Sequence, residues 1–177
     1  MTTLREQIKD NHNLAEHSPF AKLLLSGNIS KEIYADYLVN QYECYNALEN
    51  AANYFGLLND FPEISRVQPM GEDFLELGIK DIRVYPSTME YVAYINSITE
   101  PKLLLAHIYV RHFADMYGGQ IIKSKIPSTG KMYEFDDRSG LISKVREKLT
   151  EDLGDEANKC FEFAIKLFNE ISERHGI

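Results

Sequence analysis

Apolar residues recur along most of this chain with the three-to-four-residue spacing of amphipathic helices. The longest such stretch predicts a helix from Ile33 toward Leu58, which the Phe61-Pro62 pair then interrupts. Alternating apolar and polar residues, the pattern of a half-buried strand, are almost absent. The pattern therefore predicts an all-α fold.

Turn and cap residues divide this pattern into about eight helices. Ser18-Pro19 predicts the start of a short second helix that Gly27 ends, and Ser87-Thr-Met-Glu90 has the form of a capping box. The other predicted segments are helices over 4–16, 63–77, 141–150 and 155–174, a helix from Pro101 onward, and a long loop over 127–140.

Length and composition favour one globular domain over residues 1–177, since 44% of the 177 residues are hydrophobic. The net charge of −8 argues against a nucleic-acid partner. Cys44 and Cys160 lie in helical patterns without metal-binding or CxxC spacing, so we expect reduced thiols. No signal peptide or membrane span is evident. We expect a soluble, cytoplasmic monomer.

Two adjacent glycines, Gly118 and Gly119, stand inside a helical pattern. Each interior glycine costs roughly 0.5–1 kcal/mol relative to alanine, so the pair predicts a bend or a close approach of the backbone to something bulky. The alternative is that the pair ends the helix. The apolar residues Ile121 and Ile122 continue the pattern and favour a helix that runs on.

The same segment resembles the distal-helix signature of haem oxygenases. It matches that signature at His107, Tyr109, Arg111, Asp115, Gly118, Gly119 and Gln120. Two positions depart from it, because Ala114 stands where the family has a glycine and His112 replaces the usual tyrosine.

A second block supports the resemblance. Arg5, Lys9, His12 and Glu16 follow one another at helical spacing and so share one face of the first helix. Two cations, an imidazole and a carboxylate suit an anionic disc that carries iron. The alternative is a solvated face with an ion pair. The block is also similar to the proximal segment of haem oxygenases.

The resemblance runs from about residue 4 to 171 and implies a haem oxygenase-like bundle. Haem b would lie between the first and the glycine-bearing helices, as cofactor and as substrate. With dioxygen and electrons it would be converted to biliverdin, carbon monoxide and ferrous iron. The resemblance implies that His12 ligates the iron and that Glu16 orients His12. Ferredoxin or a flavin reductase would supply the electrons, and a ferredoxin would dock on a basic rim of Arg5, Lys9, Lys22, Lys123 and Lys125.

The remaining site assignments come from the same resemblance. Asp115, with Tyr45 and Arg111, would deliver protons through water, and Gly118 would bring the helix backbone close to the bound oxygen. The propionates would be held by Arg5, Lys9, Tyr109 and Arg146, while Ala114, Gly119 and Phe161 would line the pocket.

Two other functions remain open. A carrier or sensor could bind haem without degrading it, either because of Ala114 or because His112 becomes a second iron ligand. A thiaminase-like hydrolase on the same fold would need a catalytic cysteine, for which Cys44 is the candidate.

Overall fold

A computed structural model describes residues 2–177, and in that range it contains eight α-helices and no strand. The all-helical prediction is confirmed. The helices are α1 (Leu4–Glu16), α2 (Pro19–Ser26), α3 (Lys31–Tyr54), α4 (Val67–Leu77), α5 (Pro86–Ser97), α6 (Pro101–Lys123), α7 (Arg138–Arg146) and α8 (Gly154–His175). Three 3-10 turns occupy Pro62–Ile64, Lys131–Tyr133 and Glu151–Leu153.

One continuous apolar core contains side chains from all eight helices. The two long helices α3 and α6 pack together at its centre, and α8 lies across α1, α2, α5 and α6. Both α1 and α6 rest on α8 but make little backbone contact with each other. Helix α8 therefore supports α1 and α6 separately.

Local capping explains several helix ends. Ser18 accepts a hydrogen bond from the Ala21 amide to begin α2, and Gly27 ends that helix in the left-handed conformation, as expected. A capping box that the sequence reading missed begins α1, where Thr3 and Glu6 bond each other's backbone amides.

Three helix boundaries differ from the prediction, and tertiary contacts set two of them. The predicted capping box at Ser87 is wrong, because α5 begins at Pro86 and the Ser87 amide donates to Glu170 of α8. Helix α4 begins at Val67, where the Glu49 carboxylate of α3 accepts from the Arg66 amide at 2.9 Å. Helix α3 ends at Tyr54, four residues before the predicted end.

The predicted loop over 127–140 also contains ordered structure. The backbone amides of Lys131 and Met132 donate to the buried Asp73 carboxylate at 2.9 and 3.0 Å, which fixes a 3-10 turn there. Helix α7 begins at Arg138, capped by Asp137, and ends at Arg146. The Asp73 carboxylate, which is distant in sequence, thus orders a segment whose composition predicted only a loop.

Helix α6 runs without interruption through its two glycines, so the continuing helix is confirmed. Within residues 2–177, no helix has the length and apolarity to cross a lipid bilayer.

Candidate functional site

The first group of candidate residues lies on the exposed face of α1. His12 Nδ1 is 3.7 Å from Glu16 Oε2, and each side chain is 56% exposed. The imidazole also meets the ring of Phe161 on α8 edge to face, with centroids 6.0 Å apart. This arrangement leaves an accessible imidazole with a carboxylate beside its Nδ1, as an orienting partner requires.

Two cations predicted to hold carboxylates act on the same phenol, that of Tyr109. Burial raises the pKa of the half-buried Tyr109, while the charges of Arg146 and Arg5 act to lower it. The positive charges of Arg5 of α1 and Arg146 of α7 thus both act on Tyr109 of α6. Lys9 is exposed one turn along α1 from Arg5 and forms no ion pair among the described residues. Three of the four predicted carboxylate-binding residues are thus coupled through their charges, and their role in holding carboxylates stays a prediction.

The next face of α6 is open. Ala114 is exposed, and a Cβ atom added to Gly118 would meet only Ile122 Cδ1, at 3.9 Å. Tyr117, which stands between these two residues in the sequence, is 59% exposed. A flat ligand could therefore approach the backbone of α6 at Ala114 and Gly118.

Gly119, which the resemblance assigns to the pocket wall, packs against the core. It is buried, and an added Cβ atom would lie 2.9 Å from Tyr133 Cδ1. A glycine is needed here because the ring of Tyr133 packs directly against the helix backbone. Of the two adjacent glycines, Gly118 therefore lies on the open face of α6 and Gly119 lies on a face packed against Tyr133.

Behind the open face, Asp115 and Tyr45 form a buried pair. The Tyr45 hydroxyl lies 2.6 Å from Asp115 Oδ2 and 2.9 Å from the backbone oxygen of Arg111. Burial raises the pKa of Asp115 to about 6, although the Tyr45 hydrogen bond opposes the shift. A carboxyl group with this pKa can hold or release a proton near neutral pH.

The Arg111 side chain supports this pair from the core. Its Nη1 donates to Gln41 Oε1 at 3.2 Å, and its guanidinium lies 4.1 Å from the centre of the Tyr91 ring. Its backbone oxygen contacts Tyr45, while its charge lowers the pKa of Asp115. Arg111 joins the predicted network through these two effects.

His112 is fully buried and faces α3, so it is not placed to be a second iron ligand. Its Nε2 donates to Glu49 Oε2 at 3.0 Å, and its ring lies 4.8 Å from that of Tyr45. Glu49 also accepts from the Arg66 amide, so one carboxylate joins α3, α4 and α6. The sequence reading missed Glu49, because no local pattern links residues 63 positions apart.

The other histidine of α6 is satisfied within the core. His107 Nε2 donates to Glu156 Oε1 of α8 at 3.0 Å, and the Tyr91 hydroxyl donates to Nδ1 at 2.9 Å. These contacts give His107 a structural role. Near the end of α8, His175 Nε2 lies 2.9 Å from the buried Asp36 carboxylate and ties α8 to α3.

The structure offers no support for a hydrolase that uses Cys44. The thiol is buried, and burial raises its pKa, so it is neither accessible nor readily ionised. Nor do three His, Cys, Asp or Glu side chains converge anywhere in residues 2–177 to hold a metal ion.

Comparison with known proteins gives a consistent result. The sequence model of the family described as Heme oxygenase matches residues 1–170. Heme oxygenase 1 of a Nostoc species is 30% identical over 95% of this chain and 84% of its own length. Heme oxygenase 2 of Macaca fascicularis is 30% identical over 96% of this chain, and the chain spans 64% of that relative's length.

Solved structures resemble the fold closely. The crystal structure of heme oxygenase-1 from the cyanobacterium Synechocystis in complex with heme has a TM-score of 0.84 and 28% identity, covering 97% of this chain and 91% of that one. Heme oxygenase from Leptospira interrogans has a TM-score of 0.82 and 28% identity, covering 94% and 97% of the two chains.

Proposed function

We propose that this chain, which belongs to the haem oxygenase family, binds haem b and degrades it with dioxygen and electrons to biliverdin, carbon monoxide and ferrous iron. The observation that carries the proposal is the buried Tyr45–Asp115 pair, directly behind the open face of α6. It puts a carboxyl group that titrates near pH 6 beside a surface that a flat ligand can reach.

The exposed residues suit the chemistry of haem. His12 offers an imidazole nitrogen to iron, with Glu16 beside the other nitrogen. Arg5, Tyr109 and Arg146 offer donors to its carboxylates. Bound haem would supply an iron atom that activates dioxygen and the porphyrin carbon that is oxidised.

The protein's part in the reaction is to hold the ligand and to manage protons. Tyr45 fixes one Asp115 oxygen by a short hydrogen bond, so the carboxyl group keeps one orientation. A proton can then pass between Asp115 and water on the open side of α6 without a side chain touching the reacting oxygen. Gly118 leaves room for that water, because a side chain at this position would extend into the open space.

The electron donor is proposed to be a ferredoxin or a flavin reductase, with a ferredoxin docking on the basic rim. The lysines of that rim differ in how free their charges are. Lys123 Nζ lies 2.7 Å from Glu134 Oε1, which neutralises much of its charge. Lys22 is exposed on α2, and the side chain of Lys125 lies near Gly27. We therefore expect Lys22 and Lys125 to matter more for docking than Lys123.

A cytoplasmic location and a monomeric state are further parts of this proposal, and the two unpaired, buried cysteines suit a reducing compartment.

The experiment is to add hemin and then a reductant under air, with catalase present to remove free peroxide. The enzyme is supported if the Soret band forms and then decays, with biliverdin identified by chromatography and carbon monoxide trapped by reduced myoglobin. A Soret band that forms and persists would instead identify a carrier. Failure of hemin to bind at all would remove both functions.

A further inference from the structure

Tyr117 is a large residue on an otherwise small-residue face. It stands three residues after Ala114 and directly before Gly118, and its side chain is 59% exposed. Its hydroxyl oxygen accepts a hydrogen bond from Arg146 Nη2 at 2.5 Å. The phenol therefore lies over the end of the open face that borders α7.

Aromatic packing holds Tyr117 and Arg146 in place. The rings of Tyr109, Phe113 and Tyr117 follow one another along α6, with neighbouring centroids 5.2 and 5.9 Å apart. The Arg146 guanidinium lies 5.6 Å from the centre of the Phe113 ring and 5.9 Å from that of Tyr117. The geometry at Tyr117 thus results from a packed row and not from one surface contact.

The direction of this hydrogen bond leaves donors free. The Tyr117 oxygen accepts from the cation, so its own O–H proton remains available to another acceptor. Accepting from a guanidinium also polarises the O–H bond and makes it a stronger donor. Arg146 keeps further N–H groups, since a guanidinium has five. Two donors, one charged and one neutral, thus meet at one exposed point.

We propose that Tyr117 is a carboxylate-binding residue of the haem cleft and that, with Arg146, it holds one propionate and so helps to fix the rotation of the macrocycle. This inference rests on the proposed function, because the carboxylate belongs to haem. One carboxylate has two oxygens, which the Tyr117 O–H and an Arg146 N–H can each bond. The rotation of the ring in turn decides which porphyrin carbon faces Asp115.

The first test compares two ligands with two variants. Tyr117→Phe retains the ring and removes only the hydroxyl, and Tyr54→Phe is the matched control, because Tyr54 is 83% exposed and lies outside the site. The ligands are hemin and iron etioporphyrin, which has no carboxylate, each presented in the same detergent. We expect Tyr117→Phe to weaken hemin binding roughly three- to tenfold and to leave iron etioporphyrin binding unchanged. Tyr54→Phe should alter neither.

Three results would overturn the inference. Unchanged hemin affinity would mean that the hydroxyl makes no contact with the ligand. Tighter hemin binding would mean that the phenol competes with the propionate for Arg146. An equal loss for both porphyrins would mean that the substitution disturbs packing and not carboxylate recognition.

A second readout separates this inference from the proposed function. Tyr117→Phe should change the proportions of the biliverdin isomers, because the macrocycle loses one rotational restraint, whereas Tyr54→Phe should not. If wild-type protein binds and degrades hemin while Tyr117→Phe matches it in affinity and isomers, only the role of Tyr117 fails. If wild-type protein does not bind hemin, the function itself fails, and this inference fails with it.

Discussion

The two sides of the proposed haem site differ in how they are built. On α1, the residues that would meet the iron and the carboxylates are exposed and lie on one helix, with His12 and Glu16 one turn apart. On the other side, Tyr45 of α3 and Asp115 of α6 are buried and meet across 70 positions of sequence. The exposed side can thus change with little effect on folding, whereas a change on the buried side affects stability and chemistry together.

Replacing His12 should have the largest effect on activity and almost none on the fold. His12→Ala removes the proposed protein ligand of iron, so biliverdin formation should be lost. Thermal unfolding should hardly change, because exposed surface substitutions usually alter stability by less than about 0.5 kcal/mol. His17→Ala is the control, since His17 is also exposed and next to the end of α1. Normal biliverdin formation by His12→Ala would refute the ligand assignment.

Asp115→Asn should separate binding from chemistry. We expect hemin affinity close to that of wild type, because asparagine has the same shape and can accept the Tyr45 hydrogen bond. Biliverdin formation should fall by about 100-fold or more, the contribution typical of a general acid. Single-turnover spectra and hemin titrations measure the two effects. A large loss of affinity would show that Asp115 shapes the pocket instead.

The same substitution should change stability in a pH-dependent way. The folded pKa of about 6 lies above the ordinary value of 3.8, so the folded state binds more protons than the unfolded state between these values. Ionisation of Asp115 therefore lowers the free energy of unfolding as the pH rises through this range, by up to about 3 kcal/mol. Asp115→Asn should gain stability over wild type at pH 7 relative to pH 4, as urea unfolding at both values can show. A pH-independent difference would contradict the buried titration.

Gly118 and Gly119 show the same contrast between an exposed and a buried side within one helix, α6. Gly119→Ala should destabilise the protein by roughly 1–3 kcal/mol, because the new Cβ atom would lie 2.9 Å from the Tyr133 ring. Gly118→Ala should preserve or slightly raise stability, since its Cβ atom meets no atom closer than 3.9 Å and alanine favours a helix. Urea unfolding without haem measures both. Equal effects would mean that the two faces of α6 are not distinct.

These positions also show which features of the candidate site could be predicted from the sequence. The shared face of α1 was predictable because helical periodicity alone brings residues four and seven apart onto one face. The periodicity could not tell which face Gly119 occupies, because that depends on Tyr133. The same limit applies to Glu49, whose partners His112 and Arg66 come from two other helices. The association of Tyr45 with Asp115 was predicted from the resemblance to haem oxygenases. The local sequence pattern alone would not have predicted it.

The smallest expected effect is at Ala114, where the two sides of the proposed haem site would meet the same ligand. Its methyl group is exposed, so the fold does not require it, and any constraint on this position comes from what binds there. Ala114→Gly should cost roughly 0.5–1 kcal/mol of stability through helix propensity and should still bind hemin. It should change the rate of biliverdin formation or the proportions of its isomers, because a methyl group next to a close-packed ligand displaces it slightly. Single-turnover rates and product chromatography test this, with Gly118→Ala as the reciprocal change. If wild type and Ala114→Gly agree in both rate and product, the methyl group does not face the reacting porphyrin edge, and the open face of α6 meets haem through Gly118 alone.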